Sequence, residues 1–199
     1  MKGFLLAFTH QLKIEKMKTR SSLLVAAVAI TLLSFTEHKS RSVHKSFFNN
    51  LPNGTINIVI DKSDYELRVY DEDGWYATYP VVFGNDSQDD KMMEGDRKTP
   101  EGSYTIVAKR PHEKWDKFLS LNYPTAADIA KFNQRKADGL IPSNAKIGGG
   151  IGIHGTWPRD DMVIDYYQNW TNGCISMKRE DVEELYGYCP VGTKVTIQQ

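Results

Sequence analysis

From Thr55 onward the chain is built of short, alternating segments broken by turn residues, and this pattern constrains the fold more than any other feature of the sequence. The stretch TINIVI is apolar and β-branched, as a pleated, half-buried strand requires. YELRVY follows with Tyr65, Leu67 and Val69 on one face and Glu66 and Arg68 on the other, the two-residue period of a strand. Asp71–Gly74 (DEDG) then supplies a reversal in which Gly tolerates the backbone angles a tight turn needs, and WYATYPVVF returns as the partner strand. Further on, Tyr104, Ile106 and Ala108 alternate again, and TKVTI closes the chain.

Two segments break this period. In PTAADIAKFNQRKADG, Thr125 and Asp128 have the spacing of a capping box, Gly139 marks the stop, and Ala126, Ile129, Ala130 and Phe132 form the apolar side of a helix. KREDVEELYGY carries its acids early, where they meet the positive end of a helix, with Val182, Leu185, Tyr186 and Tyr188 along its length. Short strands with two inserted helices make a mainly β domain, a sandwich or half-open barrel.

Before this domain lies a different kind of sequence. MKTRSSLLVAAVAITLLSF places Lys18 and Arg20 ahead of an apolar run from about Leu23 to Phe35. A basic segment followed by a short apolar core is the pattern of a secretory signal, and the run is shorter than the ~20 residues of a spanning helix. Met17 is a plausible start for such a signal. We therefore read 1–36 as a signal peptide or N-terminal membrane anchor, 37–54 as a polar linker, and 55–198 as the folded domain. The expected location is the periplasm or cell envelope, with release and tethering to the inner membrane both open. Lys+Arg and Asp+Glu balance at 25 each, so no net field directs the chain to nucleic acid. The acidic stretch GNDSQDDKMMEGD lacks the spacing of a calcium loop and reads as a solvated loop.

The chemistry concentrates around one of only two cysteines. Cys174 sits in NWTNGCISM, where a polar turn, rather than apolar neighbours, leads into the thiol. Cys189, in YGYCPVGTKVTI, reads as a small buried hydrophobe rather than a disulfide partner. A thiol near its ordinary pKa is a few per cent ionised at neutral pH and needs a base. Of the five histidines, His10, His38 and His44 precede the domain. His112, in KRPHEKW, reads as a surface loop residue. His154, in IGGGIGIHGT, follows Ile151 and Ile153 in alternation, which puts Gly152 and His154 on the opposite strand face, and Gly155 permits a tight turn immediately after. One Cys and one His without a C-x-x-C pair do not make a zinc site. His also precedes Cys, the reverse of the papain-like order. No cofactor is called for.

These blocks together, IHGTWPRDDMVIDYYQNWTNGCISM with GDRKTPEGSYTIV upstream and VGTKVTI at the end, resemble the L,D-transpeptidase (YkuD) catalytic domain, and SLNYPTAADIAKF is similar to its Gram-negative YafK-like branch. The resemblance implies a β-sandwich-like domain with inserted helices that acts on peptidoglycan stem peptides. It implies that Cys174 is the nucleophile, that His154 is the base, that the carbonyl of Gly155 orients the imidazole, that the amides around Gly173 and Cys174 form the oxyanion hole, and that Thr171 and Asn172 belong with Gly173 to this oxyanion and substrate-binding turn. A transferase reaction through a Cys174 thioester is implied first. A hydrolase cleaving cross-links or wall-attached protein, and a non-catalytic wall binder, share the same scaffold. The dyad implies a thiol whose pKa is lowered. The sequence departs from the family pattern at Asn172, where many members carry His, at Ser176, where many carry Arg, and in a slightly long spacer between His and Cys.

Overall fold

The computed structural model describes residues 41–44 and 51–199; the proposed signal or anchor lies outside them. Among the described residues nine strands make up one sheet: β1 (Val43–His44), β2 (Asn57–Asp61), β3 (Glu66–Asp71), β4 (Gly74–Val82), β5 (Gly102–His112), β6 (Asp116–Leu121), β7 (Gly152–Gly155), β8 (Ile175–Met177) and β9 (Lys194–Gln198). The helices are α1 (Ala126–Ala137), α2 (Met162–Asp165) and α3 (Arg179–Tyr188). The strand order is β1-β4-β3-β2-β9-β5-β6-β7-β8, and β4 also pairs with β8 through Val81 and Val82. That last pairing closes the sheet on itself, so the mainly β expectation holds and the half-open barrel becomes a closed ring. β2 with β9 and β7 with β8 are parallel; the other pairs are antiparallel.

Within β2, β3, β4 and β9 the expected apolar face turns inward as its alternation dictates. Leu67, Val69, Ala77, Tyr79 and Val81 are fully buried, and Ile58, Ile60, Val195 and Ile197 join them from the neighbouring strands. The chain-terminal strand β9 sits in the middle of the sheet, between β2 and β5. The β3–β4 hairpin forms as read, with Gly74 at φ +103 opposite Asp71. Beyond Ile106 the β5 alternation fails: the register shifts between Ile106 and Ala108, and Ala108 is exposed. A bulge of this kind re-aims the strand, and it carries β5 from its pairing with β9 to its pairing with β6.

Three other expectations change. Within the tract read as a linker, Val43 and His44 form β1 against Thr78 and Ala77, and the Ser42 hydroxyl donates to Asp181. Helix α1 has its capping box as expected, with Thr125 and Asp128 bonded reciprocally, but Ala126, Ile129 and Ala130 are exposed. The helix docks through Phe132 and through charge: Lys131 and Arg135 both bind Asp90 at 2.7 and 2.8 Å, and the buried Asp128 accepts from the Tyr104 hydroxyl. The acidic stretch is therefore an ordered loop rather than a solvated one. Asp90 also accepts from the Glu101 amide. Asp96 accepts from Lys91 Nζ and from the amides of Met92, Met93 and Lys98. Hydrogen bonds and cations hold both carboxyls below the ordinary carboxylate value against the opposing effect of burial.

Asp90→Asn leaves Lys131 and Arg135 sharing a neutral partner. It should lower stability by about 1–3 kcal/mol, read as a lower urea midpoint at unchanged slope.

Candidate active site

Strand β7, Gly-Ile-His-Gly, puts one side chain on each face. Ile153 is fully buried and belongs to the core, while His154, only 1% exposed, lies on the other face beside a cavity of about 630 Å³. Parallel pairing with β8 sets Ile153 beside Ile175 and His154 beside Ser176. Cys174, at the entry to β8, therefore lines the same cavity as His154 although twenty residues separate them. Phe118, Trp115, Trp157, Trp170, Arg110, Ser120, Gly150, Thr171 and Asn172 complete the lining.

The imidazole Nδ1 lies 2.8 Å from the carbonyl oxygen of Gly155. A carbonyl can only accept, so Nδ1 carries the proton and the lone pair is left on Nε2. Gly155 is required here by close approach: its amide donates to the Trp115 carbonyl at 3.0 Å, and a Cβ would stand 2.7 Å from that same oxygen. Burial pushes the His154 pKa from 6.5 down to about 4, with His112 adding to the effect and the Gly155 bond opposing it.

The cysteine turn is sewn to the rest of the domain by its polar residues. The amides of Trp170 and Thr171 donate to the Phe83 carbonyl, Asn169 accepts from the Phe83 amide, and Arg97 Nε donates to the Thr171 carbonyl. Thr171 Oγ1 accepts from the Gly173 amide at 3.1 Å and donates to the Cys174 carbonyl at 2.8 Å. Gly173 adopts φ +118, and a Cβ there would meet the Lys98 carbonyl at 2.7 Å. Thr171 and Gly173 therefore build the turn rather than present open donors: the Gly173 N–H expected to face an oxyanion is already engaged. Asn172 is exposed at the cavity.

Cys174 is half-buried and free, as is the fully buried Cys189. Its Sγ lies 3.5 Å from the Gly150 carbonyl. Burial pushes the thiol pKa up, opposed by the Gly152 amide and the distant Lys91 charge. The expected depressed thiol is thus reversed. Taking both groups out of water disfavours thiolate and imidazolium alike.

Aromatic rings account for what sequence reasoning missed. His112, expected on the surface, stacks on Trp115, and Trp115 stacks on His154. Phe118 is placed beside His154 by the β6–β7 register, a long-range pairing that no local pattern announces. Tyr79 is a core residue bonded to Tyr188, Trp157 and Trp170 line the cavity, and Arg159 is exposed. Ser176 is fully buried, and its hydroxyl has no hydrogen-bond partner among the described residues.

The fold and the cavity define a closed β-sheet domain that presents a cysteine and a neutral histidine in one aromatic-walled pocket. The YkuD profile, the L,D-transpeptidase catalytic domain, matches residues 55–197, and the chain belongs to that family of peptidoglycan-related enzymes. YqjB of Bacillus subtilis, which is named as an L,D-transpeptidase, is 29% identical over 153 residues, covering 75% of this chain and 74% of that protein. The helical cell shape determining protein Pgp2 of Campylobacter jejuni superposes with a TM-score of 0.54 at 25% identity over 82% of this chain. Bd1075 of Bdellovibrio bacteriovorus, at 20% identity over 80% of this chain and a TM-score of 0.50, shows the same fold. The chain spans about half the length of these two structures, 52% of each.

Gly173→Ala should cost about 1–3 kcal/mol from backbone strain and displace the thiol, read together as a lower melting temperature and slower Cys174 alkylation. His154 also makes a pH signature. Between pH 6.5 and about 4 the unfolded chain binds a proton that the folded imidazole refuses, so stability falls as pH falls through that window. Asp181, pushed up to about 6 by burial, acts in the opposite direction. Comparison with His154→Asn isolates the histidine: the wild type should lose up to roughly 3 kcal/mol more than the variant between pH 7 and 4, measured by urea unfolding.

Proposed function

We propose that the protein is a cysteine acyltransferase of the cell envelope, acting on peptidoglycan stem peptides through a Cys174 thioester with His154 as base. The observation that carries this reading is the Nδ1 bond to Gly155, which leaves Nε2 as a proton acceptor on an imidazole sharing its cavity with the thiol.

Because burial disfavours both charged forms, the thiolate forms as the substrate is attacked rather than beforehand. The Cys174 proton passes to His154 Nε2 while sulfur bonds to the carbonyl carbon after the third residue of a tetrapeptide stem. The tetrahedral intermediate collapses by expelling the terminal D-Ala amine, which takes the proton from His154. The resulting thioester passes its acyl group to an amine on a second stem, and the thiol is restored. With the Gly173 amide engaged by Thr171, the Cys174 amide becomes the oxyanion donor on that turn, and the Gly152 amide supports the sulfur while it is ionised.

Export through the N-terminal basic–apolar segment gives access to this substrate. A membrane tether and a wall-attached protein as acceptor belong to the same reading. The cell-shape role in the name of Pgp2 supports wall remodelling as the setting. Placement on the YafK-like branch rests on the SLNYPTAADIAKF block.

Muropeptide mass spectrometry of purified sacculi incubated with the full chain tests the proposal. New 3–3 cross-links or exchanged terminal residues should appear with wild type and vanish in Cys174→Ala. His154→Ala should retain a rate lower by about 10²–10⁴-fold, the usual contribution of a general base. Cys174-dependent loss of cross-links would instead make the protein a hydrolase, and unchanged sacculi would refute both.

A further inference from the structure

The reading of Cys174 and His154 as a dyad leaves a question of geometry. One hydrogen bond at Nδ1 fixes a point on the imidazole but not the tilt of its plane, and the direction of the Nε2 lone pair depends on that tilt. The turn between β5 and β6 supplies what the bond does not. The Trp115 indole lies between two histidine rings: it stacks on His112 with centroids 4.4 Å apart and planes 7° from parallel, and on His154 at 4.4 Å and 20°. Phe118 lies nearly parallel to the His154 ring at 5.7 Å, and Trp170 meets that ring edge-on at 5.5 Å.

The backbone beneath this stack is pinned as firmly. His112 Nδ1 accepts from the amides of Lys114 and Trp115 at 3.2 and 3.3 Å. The Trp115 carbonyl takes the Gly155 amide, so the residue that stacks on the imidazole also anchors the residue whose carbonyl orients it. The Arg179 guanidinium donates to the carbonyls of Lys114 and Thr156, joining the turn to the segment just past β7.

We propose that Trp115 is a positioning residue for the His154 base and that His112 holds the indole in that role. The stack sets the plane of the imidazole and keeps water from it. When His154 takes up the thiol proton, the indole face attracts the imidazolium and offsets part of the cost of a charge in a buried site. A proton on His112 would place a second positive charge on the far face of the same indole and weaken that effect. The charged groups around His112 are Arg110 and Lys114, which oppose its protonation, and Glu113, which favours it.

This inference rests on the dyad reading, and Cys174 alkylation tests both without any wall substrate. Iodoacetamide forms a carbon–sulfur bond and loses iodide, while the thiol proton leaves through the base to solvent. The rate at Cys174 in the full chain, followed by peptide mass mapping from pH 5 to 9, is compared among wild type, Trp115→Leu, Trp115→Phe, His112→Ala and His154→Ala. Trp115→Leu should slow alkylation at pH 7 by about ten-fold, a part of the ~10²–10⁴ that a general base contributes, and move the pH profile toward that of His154→Ala. Trp115→Phe, which keeps a flat ring on the imidazole, should restore most of the rate. His112→Ala should fall between, and it carries the test alone should Trp115→Leu fail to fold. A wild-type profile in His112→Ala and Trp115→Leu, with an altered one in His154→Ala, overturns the role of the stack while leaving the dyad standing. A wild-type profile in His154→Ala itself overturns the dyad and the stack with it.

Discussion

Parallel pairing of β7 with β8 is the constraint on which the rest of the site depends. Ile153 and Ile175 are register partners, both fully buried, and their removal from water drives the pairing. A slip of one residue would turn His154 into the core and an isoleucine into the cavity. Hydrophobic burial on one face of the strand therefore sets the position of the imidazole on the other. The same register explains how residues twenty apart in sequence come to line one cavity, and the β4–β8 pairing closes the ring around them.

The electrostatics follow from that placement. An imidazole held between aromatic rings and a half-buried thiol lining the same cavity are both taken out of water, which disfavours the charged form of each. A preformed ion pair between them is disfavoured here. What the structure holds in order is the imidazole tautomer, set by the Gly155 carbonyl, and the thiol, seated on a turn bonded through Thr171, Gly173 and Phe83. The loop from Asn85 to Lys98 contributes to that stiffness from outside. Its carboxylates organise their own backbone, and its Arg97 and Lys98 reach the cysteine turn.

Much of this was legible in the chain itself. The hairpin, the capped helix at Thr125, the alternation around His154 and the polar turn before Cys174 are local patterns, and a two- or 3.6-residue period needs no partner to be seen. What escaped the sequence was long-range. Ile129 reads as a buried helix residue, yet α1 turns Asp128 and Phe132 inward because its seat is a loop rich in carboxylates rather than an apolar face. His112 reads as a loop residue because nothing in KRPHEKW shows that the turn folds back over His154.

The sequence by itself determined that a mainly β domain forms, which strand faces are apolar, and that a thiol follows a polar turn while a histidine stands at a glycine-flanked strand end. Only the tertiary structure decided that the two share a cavity, that the thiol is raised rather than lowered, that the Gly173 amide is already spent, and that an indole stands against the imidazole. Strand identity comes from side-chain periodicity, which a chain carries along its length. Proton affinity and ring stacking depend on which groups are brought together and how much water remains between them, and that is set only once the sheet has closed.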